Sequence, residues 1–359
     1  MTLILQQGLN PHTNRIIWLV LDEDYQVVVI IQRFLTHLST SKSPNTVKAY
    51  ASDLKFWWEF LALKCLDWRT VNLSDLEEFV YWLRVGDSLK VVSMQPVQAV
   101  RTAKTVNRMT TAIESFYKYH IANETIDLEI FDRFNLSYRS NGKGSLAGIA
   151  KSNPTREKLI KIKVPKKFVG CLTDEEVTTL VNALHRLRDK LIVLMLNDTG
   201  LRKGELLGLC HEDIGENNDC YIKVVKRDNP NGARVKGRER TVPINPALLK
   251  MYNDYLIYEY PDSAISNYVF VNIWEGEVGM PMNPNVLNVM FSRLGKKTGI
   301  KVYPHLFRHT YASRMIELGY KPERLKYLLG HTNIQTTMDT YFHPKPENLR
   351  KLIEKDKTE

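Results

Sequence analysis

The amino-acid sequence predicts a mainly α-helical protein with a small β-sheet, divided into two domains. The chain has 359 residues, enough for two domains that each bury a core. Apolar residues recur at three- to four-residue spacing along most of it, which is the period of an amphipathic helix. Strand-like alternation is found mainly near the N-terminus and around residues 221–244. Hydrophobic residues at 43% and charged residues at 25% are typical of a globular protein.

The N-terminal part of the chain predicts a strand segment followed by a helical domain. Residues 15–30 alternate β-branched runs around an acidic turn, which indicates a short hairpin or a strand that leads into a helix. Ser43 stands before a proline, a pair typical of a helix start. Ser74 and Glu77 have the spacing of a capping box, and residues 102–121 are amphipathic. Three or four helices are expected in this domain.

The segment 139–167 has a different character, because it carries nine basic residues and a single acid, Glu157. Like charges at this density repel, so the segment is predicted to be an exposed linker. A solvated tether is one interpretation. The one-sided charge favours another, a strap that crosses DNA between two domains.

The C-terminal part predicts a second, mixed domain. Thr173 and Glu176 form a capping box, and residues 187–196 form an apolar helix. Residues 221–225 and 241–244 read as strands around a turn rich in Asn, Pro and Gly. The predicted organisation is a strand segment (1–30), a helical domain (31–138), a basic linker (139–168), a mixed domain (169–345) and a C-terminal helix or tail (346–359).

Composition narrows the class of protein further. The net charge of +10 favours a polyanionic partner such as nucleic acid. The four cysteines are widely separated and include no Cys-x-x-Cys pair, so reduced thiols in a cytoplasmic protein are expected. The apolar runs at residues 16–21 and 27–31 are too short to cross a bilayer, and we expect no membrane association.

The later part of the chain holds residues suited to phosphodiester chemistry. Cleavage by a side-chain hydroxyl needs an aligned nucleophile, cations on the non-bridging oxygens and an acid for the leaving group. Arg202 lies between glycines at a predicted helix joint, and Glu205 follows one helical turn later to orient it. His305 and Arg308 are three residues apart and share one helix face. Taken singly, each is more often a surface or structural residue.

A metal site is the alternative for the histidines. His305 and His309 have the i,i+4 spacing of zinc-binding helices. Such helices carry a glutamate after the first histidine, where this sequence has Leu306. A metal would also leave the arginines without a purpose. The sequence therefore favours a reaction without metal or cofactor.

The order and spacing of these motifs resemble the tyrosine recombinase (phage integrase) family. The Gly-Leu-Arg-x-Gly-Glu sequence around Arg202 is similar to the first arginine box of the family, and His305-x-x-Arg308 follows it. Leu-Gly-His at His331, followed by Thr-Thr-x-x-x-Tyr ending at Tyr341, is similar to the last box.

The resemblance extends over most of the chain. Residues 43–50 resemble the start of the family's core-binding domain, and the loop 229–234 and the N-terminal strand segment are similar to transposase A of bacterial transposons. The resemblance implies a helical, SAM-like core-binding domain joined to a mixed α/β catalytic domain.

The resemblance also implies a role for each matched residue. Tyr341 would be the nucleophile that forms a 3′-phosphotyrosyl link and releases a 5′-hydroxyl. Arg202 and Arg308 would clamp the scissile phosphate. His305 would accept a proton or bind the phosphate, and His331 would donate a hydrogen bond.

The family uses a lysine on a β-hairpin as general acid. Lys236 is the predicted residue, because the sequence that follows it is similar to Lys-Gly-x-x-x-Arg-x-Val-Pro. Here that pattern is one residue shorter and the hairpin loop is long, which leaves Lys226 and Lys223 as alternatives. Glu205 would support Arg202.

Double-stranded DNA is the predicted partner, bound by a homotetramer in a synapse, with a second recombinase or an accessory protein left open. The predicted function is site-specific DNA recombination. Relaxation of DNA by a monomeric, topoisomerase IB-like protein and DNA binding without catalysis are the alternatives. Basic residues at helical spacing in the N-terminal domain are expected to contact phosphates. They are Lys48, Lys55, Arg101, Lys104 and Arg108.

Overall fold

A computed structural model describes residues 2–11, 16–86, 99–127, 135–138, 155–158, 160, 162–164, 170–215, 220–274 and 276–333. The chain divides into two compact units, residues 1–166 and 167–359. Each unit has its own hydrophobic core. The architecture is mainly helical with small antiparallel sheets, as the sequence predicts.

The N-terminal unit combines four described helices with two β-hairpins. Its elements are β1 (Ile4–Leu9), β2 (Ile16–Leu21), α1 (Val29–Ser41), α2 (Pro44–Leu63), α3 (Leu73–Val85), α4 (Ala103–Ala122), β3 (Asn135–Tyr138) and β4 (Thr155–Lys158).

The first hairpin lies earlier in the chain than the β-branched pattern indicates. The strand β2 pairs antiparallel with β1, which precedes it, with Ile4 opposite Leu21. The second β-branched run forms the first turn of α1 instead of a strand, apart from one isolated bridge between Leu21 and Val27. The helix prevails because it places Ile31 and Leu35 in the core.

The helix starts depend on side-chain caps. Ser43 caps α2, as predicted. The capping box of α3 is formed by Asn72 and Asp75, and the prediction of Ser74 and Glu77 is wrong by two residues. Asparagine is at least as good an N-cap as serine, so the earlier pair determines the start of the helix.

Part of the segment predicted to be an exposed linker is docked on the N-terminal core. The side chains of Ile160 and Ile162 pack against this core. The Asn107 amide of α4 donates to the Ile162 carbonyl at 2.8 Å, and its oxygen accepts from the Ile162 N–H at 2.9 Å. The strand β4 pairs with β3. Full exposure is therefore wrong for these residues, because the isoleucines alternate with lysines and can turn inward.

The C-terminal unit has seven described helices and a three-stranded antiparallel sheet in the order β5-β6-β7. Its elements are α5 (Asp174–Asn182), α6 (Leu187–Thr199), α7 (Lys203–Leu206), β5 (Ile214–Gly215), β6 (Tyr221–Val224), β7 (Arg240–Pro243), α8 (Pro246–Tyr258), α9 (Pro284–Thr298), α10 (Pro304–Glu317) and α11 (Pro322–Leu329).

The helix α6 forms the centre of this unit. Residues on all of its sides are buried, including Leu191, Ile192 and Val193, as expected for a helix inside a core. It packs against α8 and α10, so it is held from two sides. The capping box of Thr173 and Glu176 opens α5, as predicted. Among the described residues, no helix is both long and apolar enough to cross a bilayer.

Candidate active site

Arg202 stands at a sharp joint between two helices. The helix α6 ends at Gly200, whose φ of +61° lies in the left-handed region. A Cβ on Gly200 would also come within 2.5 Å of the Tyr311 ring, so glycine is required twice over. Arg202 then precedes α7, and its backbone N–H donates to Glu205 Oε2 at 3.0 Å. The joint holds the base of the Arg202 side chain in a fixed position.

Arg308 reaches the same joint from α10. Its side chain is almost completely buried and donates from Nη1 to the Gly200 carbonyl at 2.9 Å and from Nη2 to the Leu329 carbonyl. Arg202 donates from Nη1 to the same Leu329 carbonyl at 3.3 Å. The structure therefore brings two arginines that are distant in sequence to one shared acceptor.

Arg202, Arg308 and Arg240 form an arginine cluster, and Glu205 balances part of its positive charge. Its fully buried carboxylate accepts from Arg202 Nη1 at 2.7 Å and from Arg240 Nη2 at 2.8 Å. Burial alone would raise the pKa of Glu205, but hydrogen bonds and charges from Arg240 and Arg202 outweigh it and lower the pKa. The carboxylate is therefore ionised at neutral pH and orients Arg202.

Arg240 is a site residue that the sequence reasoning did not single out. It opens β7, is almost completely buried, and donates from Nε to the Leu328 carbonyl at 2.6 Å as well as to Glu205. The alternation of β7 carried the available signal, since Arg240 and the core residue Val242 share one face of the strand. A second signal is Glu205, because a buried carboxylate needs close cationic partners and Arg202 is only one.

His331 follows the helix that supplies the shared carbonyl. The helix α11 ends at Gly330, with φ +64°, where a Cβ would lie 2.5 Å from Arg240 Nη1. His331 is buried, and burial together with the charges of Arg308 and Arg202 lowers its pKa to about 4. The imidazole is therefore neutral at physiological pH.

His305 lies one turn before Arg308 on α10 and is exposed. Its ring centroid is 4.8 Å from that of His309, with the two rings nearly perpendicular. His309 is buried, and burial followed by the charge of Arg308 lowers its pKa. Within the described part of the chain, no third metal-binding side chain completes a group with this pair.

Lys236 is exposed in the loop 225–239 that joins β6 to β7. The next residue, Gly237, touches the arginine cluster, because a Cβ there would lie 2.3 Å from the Gly330 carbonyl oxygen and 2.9 Å from Arg202 Nη1. Burial lowers the pKa of Lys203, and the positive charge of Lys236 lowers it further. The loop therefore brings Lys236 beside the arginine cluster.

The alternative lysines have different surroundings. Lys223 pairs with Thr241 in the sheet, whereas its neighbour Val224 pairs with Arg240. Successive side chains of a strand point to opposite faces, so Lys223 lies on the face away from the arginine cluster. The backbone N–H of Lys226 donates to the Glu239 carboxylate at 2.7 Å.

Comparisons with known proteins agree with this arrangement. The phage integrase family matches residues 171–348, and the phage integrase N-terminal SAM-like domain matches residues 31–124. Transposase A from transposon Tn554 of Staphylococcus aureus is 34% identical over 342 residues, or 94% of each chain.

The chain belongs to the phage integrase family of tyrosine recombinases. Tyrosine recombinase XerA of Pyrococcus horikoshii is 28% identical over 329 residues, covering 91% of this chain and 93% of that protein. The fold is similar to that of the Tn1549 transposon integrase in complex with circular intermediate DNA, with a TM-score of 0.61 at 20% identity over 90% of this chain and 98% of that chain. The predicted family, fold class and recombinase activity are thus confirmed.

The recombinase's predicted DNA-contacting residues have unequal surroundings in the N-terminal unit. Lys48 and Lys104 are exposed, and Lys48 Nζ lies 4.4 Å from the centre of the Trp18 ring. Arg101 packs on Phe56, with its guanidinium carbon 4.5 Å from the ring centre.

The other two predicted DNA-contacting residues form ion pairs. Lys55 pairs with Glu59 at 3.2 Å. Arg108 pairs with buried Asp53 at 2.9 Å and leaves nearly half of its side chain exposed. Tyr341, the C-terminal tail and most of the predicted linker lie outside the described residues.

Proposed function

We propose that this recombinase cuts and rejoins double-stranded DNA at specific sites through a 3′-phosphotyrosyl link to Tyr341. The observation that carries the proposal is the shared arginine cluster, in which Arg202 and Arg308 meet at the Leu329 carbonyl. Two planar guanidiniums at one point suit the non-bridging oxygens of a single phosphate.

Each neighbouring side chain then has a role that suits its environment. Arg202, oriented by Glu205, and Arg308 neutralise the charge that builds on the phosphate. His331 is neutral at working pH and donates one hydrogen bond to a phosphate oxygen. His305 is exposed and accepts a proton or binds the phosphate.

The bond changes balance without an outside energy source. The Tyr341 oxygen forms a bond to phosphorus and loses its hydroxyl proton, for which His305 is the acceptor, while the bond from phosphorus to the 5′-oxygen breaks. The Lys236 ammonium gives its proton to the departing 5′-oxygen. The reverse attack by a 5′-hydroxyl restores the DNA backbone and frees the tyrosine.

DNA binding rests on the net charge of +10 and on the exposed basic side chains of the N-terminal unit. We propose that four copies assemble on two DNA sites. The fold is similar to that of the Tn1549 integrase in complex with circular intermediate DNA, and this similarity supports DNA as the partner. Neither DNA relaxation by a monomer nor binding without catalysis is favoured, since the relatives are transposases and recombinases.

Covalent capture of a nicked duplex tests the proposal. A nick just beyond the cut lets the released fragment diffuse away, so the wild-type protein should accumulate a protease-sensitive adduct on the 3′ end. Tyr341→Phe should abolish the adduct while retaining DNA affinity in a gel-shift assay. Adduct formation by Tyr341→Phe would place the nucleophile at another residue.

A further inference from the structure

The loop that carries Lys236 is held by side chains more than by strand pairing. Asn231 uses three hydrogen-bonding positions at the turn of this loop. Its Nδ2 donates to the Leu207 carbonyl at 3.0 Å and to the Met282 carbonyl at 2.9 Å. Its Oδ1 accepts from the Ala233 N–H at 3.0 Å. One amide therefore ties the loop to the end of α7 and to the segment before α9.

Asn229 closes the same turn from the other side. Its Nδ2 donates to the Ala233 carbonyl at 2.9 Å, and its Oδ1 accepts from the Tyr268 hydroxyl at 2.8 Å. The amide lies close against the backbone after α7, since a Cβ on Gly208 would come within 2.8 Å of Asn229 Nδ2. Both polar groups of the Ala233 backbone are thus fixed by asparagines.

The fixed turn presses the loop onto the helix next to Arg202. A Cβ on Gly204 would lie 2.7 Å from the Arg234 carbonyl oxygen, so the loop backbone touches the α7 backbone directly. Two residues after Arg234 comes Lys236, and Gly237 touches Arg202. Asn231 is thus connected to Arg202 through direct contacts, first of the loop backbone with α7 and then of Gly237 with Arg202.

We propose that Asn231, assisted by Asn229, is a positioning residue that holds Lys236 at the leaving 5′-oxygen. The inference rests on the proposed role of Lys236 as general acid. It also gives a reason for the long hairpin loop, which the asparagines fix where strand pairing does not. Proton transfer depends on the distance between donor and acceptor, and a displacement of about 1 Å can cost roughly a hundredfold in rate.

The test compares two DNA substrates. One carries the natural 5′-bridging oxygen at the cut, and the other carries sulfur in its place. An alkoxide needs a proton to depart, whereas a thiolate departs without one. A defect in general-acid catalysis is therefore relieved by sulfur, but a defect in folding, phosphate binding or the nucleophile is not.

The variant Asn231→Asp keeps the size of the side chain and the acceptor for Ala233, and it loses both donors. We expect it to cleave the oxygen substrate about ten- to a hundredfold more slowly than wild type. It should cleave the sulfur substrate at nearly the wild-type rate, as should Lys236→Ala. Asp228→Ala, an exposed change in the same loop, should cleave both substrates normally.

The other possible outcomes would contradict either the role of Asn231 or the role of Lys236. An Asn231→Asp variant that is unimpaired on oxygen, or equally slow on both substrates, would overturn the positioning role while leaving Lys236 in place. A Lys236→Ala variant that sulfur does not recover would overturn the general-acid assignment, and the inference with it. Should Asn231→Asp not fold, Tyr268→Phe removes only the bond to Asn229 and should give a smaller defect of the same pattern.

Discussion

Two buried carboxylates, one in each unit, have pKa values that are shifted in opposite directions. Glu205 in the arginine cluster meets both Arg202 and Arg240, and its pKa is lowered despite its burial. Asp53 in the N-terminal unit has one ion-pair partner among the described residues, Arg108, and burial raises the pKa of Asp53 to about 6. Two close cations outweigh the cost of desolvation, whereas one half-exposed cation does not.

The difference separates the proposed catalytic centre, which is rigid, from the proposed DNA-binding surface, which is adaptable. Around Glu205, the arginine side chains also hold backbone carbonyls, so their positions are fixed before DNA arrives. Arg108 keeps nearly half of its side chain in solvent, where a DNA phosphate can compete with Asp53. Changes in the first region should therefore have larger effects than changes in the second.

Arg308→Lys should cause the largest loss. An ammonium cannot bond to the Gly200 and Leu329 carbonyls and still present a planar fork to the phosphate. Covalent capture should slow by about a hundred- to a thousandfold. Arg293→Lys, an exposed change on α9, is the matched control. Capture at the wild-type rate by Arg308→Lys would remove this arginine from the phosphate site.

Glu205→Gln should destabilise the protein at neutral pH by about 3 kcal/mol, because it leaves Arg240 buried without a carboxylate. The folded pKa of Glu205 lies below the ordinary value of 4.5 for a glutamate. The stability that the carboxylate contributes is therefore present above that value and lost as pH falls through the folded pKa. Denaturant unfolding across the acid range should show this loss in wild type and in the exposed control Glu317→Gln, but not in Glu205→Gln.

Asp53→Asn should show the opposite sign. The folded pKa of about 6 exceeds the ordinary value of 3.8 for an aspartate, so between these two pH values the folded state binds more protons than the unfolded state. Wild-type stability from this group therefore falls as pH rises through that window. Asp53→Asn should be more stable than wild type at pH 7.5, by about 1 kcal/mol, and Asp24→Asn unchanged. If Asp53→Asn were less stable than wild type at pH 7.5, the proposed difference between the effects of Asp53 and Glu205 on stability would be wrong.

Lys104→Ala should have a modest effect confined to DNA binding. The side chain is exposed on α4, and the loss of one phosphate contact should weaken affinity several-fold and reduce the salt slope by about 1. Arg69→Ala, which changes a surface residue paired with Asp67, is the control. Identical salt slopes for wild type and Lys104→Ala would exclude this face of α4 from the DNA interface.

A chelator should have the smallest effect. The arginine cluster supplies the positive charge at the phosphate, so covalent capture in excess EDTA should proceed at the rate measured without it. Strong inhibition, relieved by added zinc, would instead assign a metal to His305 and His309.

The sequence was most informative where short motifs impose a geometry. Gly200 and Gly330 are required at left-handed turns, and their neighbours Arg202 and His331 are placed by those turns. Arg240 was not predicted as a site residue, because the alternation that places it on one strand face with Val242 does not reveal which residue it pairs with. Its importance depends on Glu205, which is distant in sequence.

Local capping and docking were harder to predict. Asn72 and Ser74 are both acceptable caps, and the structure uses the earlier one, with Asp75 completing the capping box. The docking of Ile160 and Ile162 was not predicted, because lysines surround them in the sequence. Which side chains the core buries depends on contacts between distant residues, which a single sequence does not display.

The most direct test of the central claim is the identity of the residue joined to DNA. The adduct formed on a nicked substrate would be digested with protease, and the peptide that stays on the DNA sequenced by mass spectrometry. We predict a peptide in which Tyr341 carries the 3′-phosphate. A different attached residue, or the same adduct formed at full rate when Arg202 and Arg308 are both replaced by alanine, would contradict it.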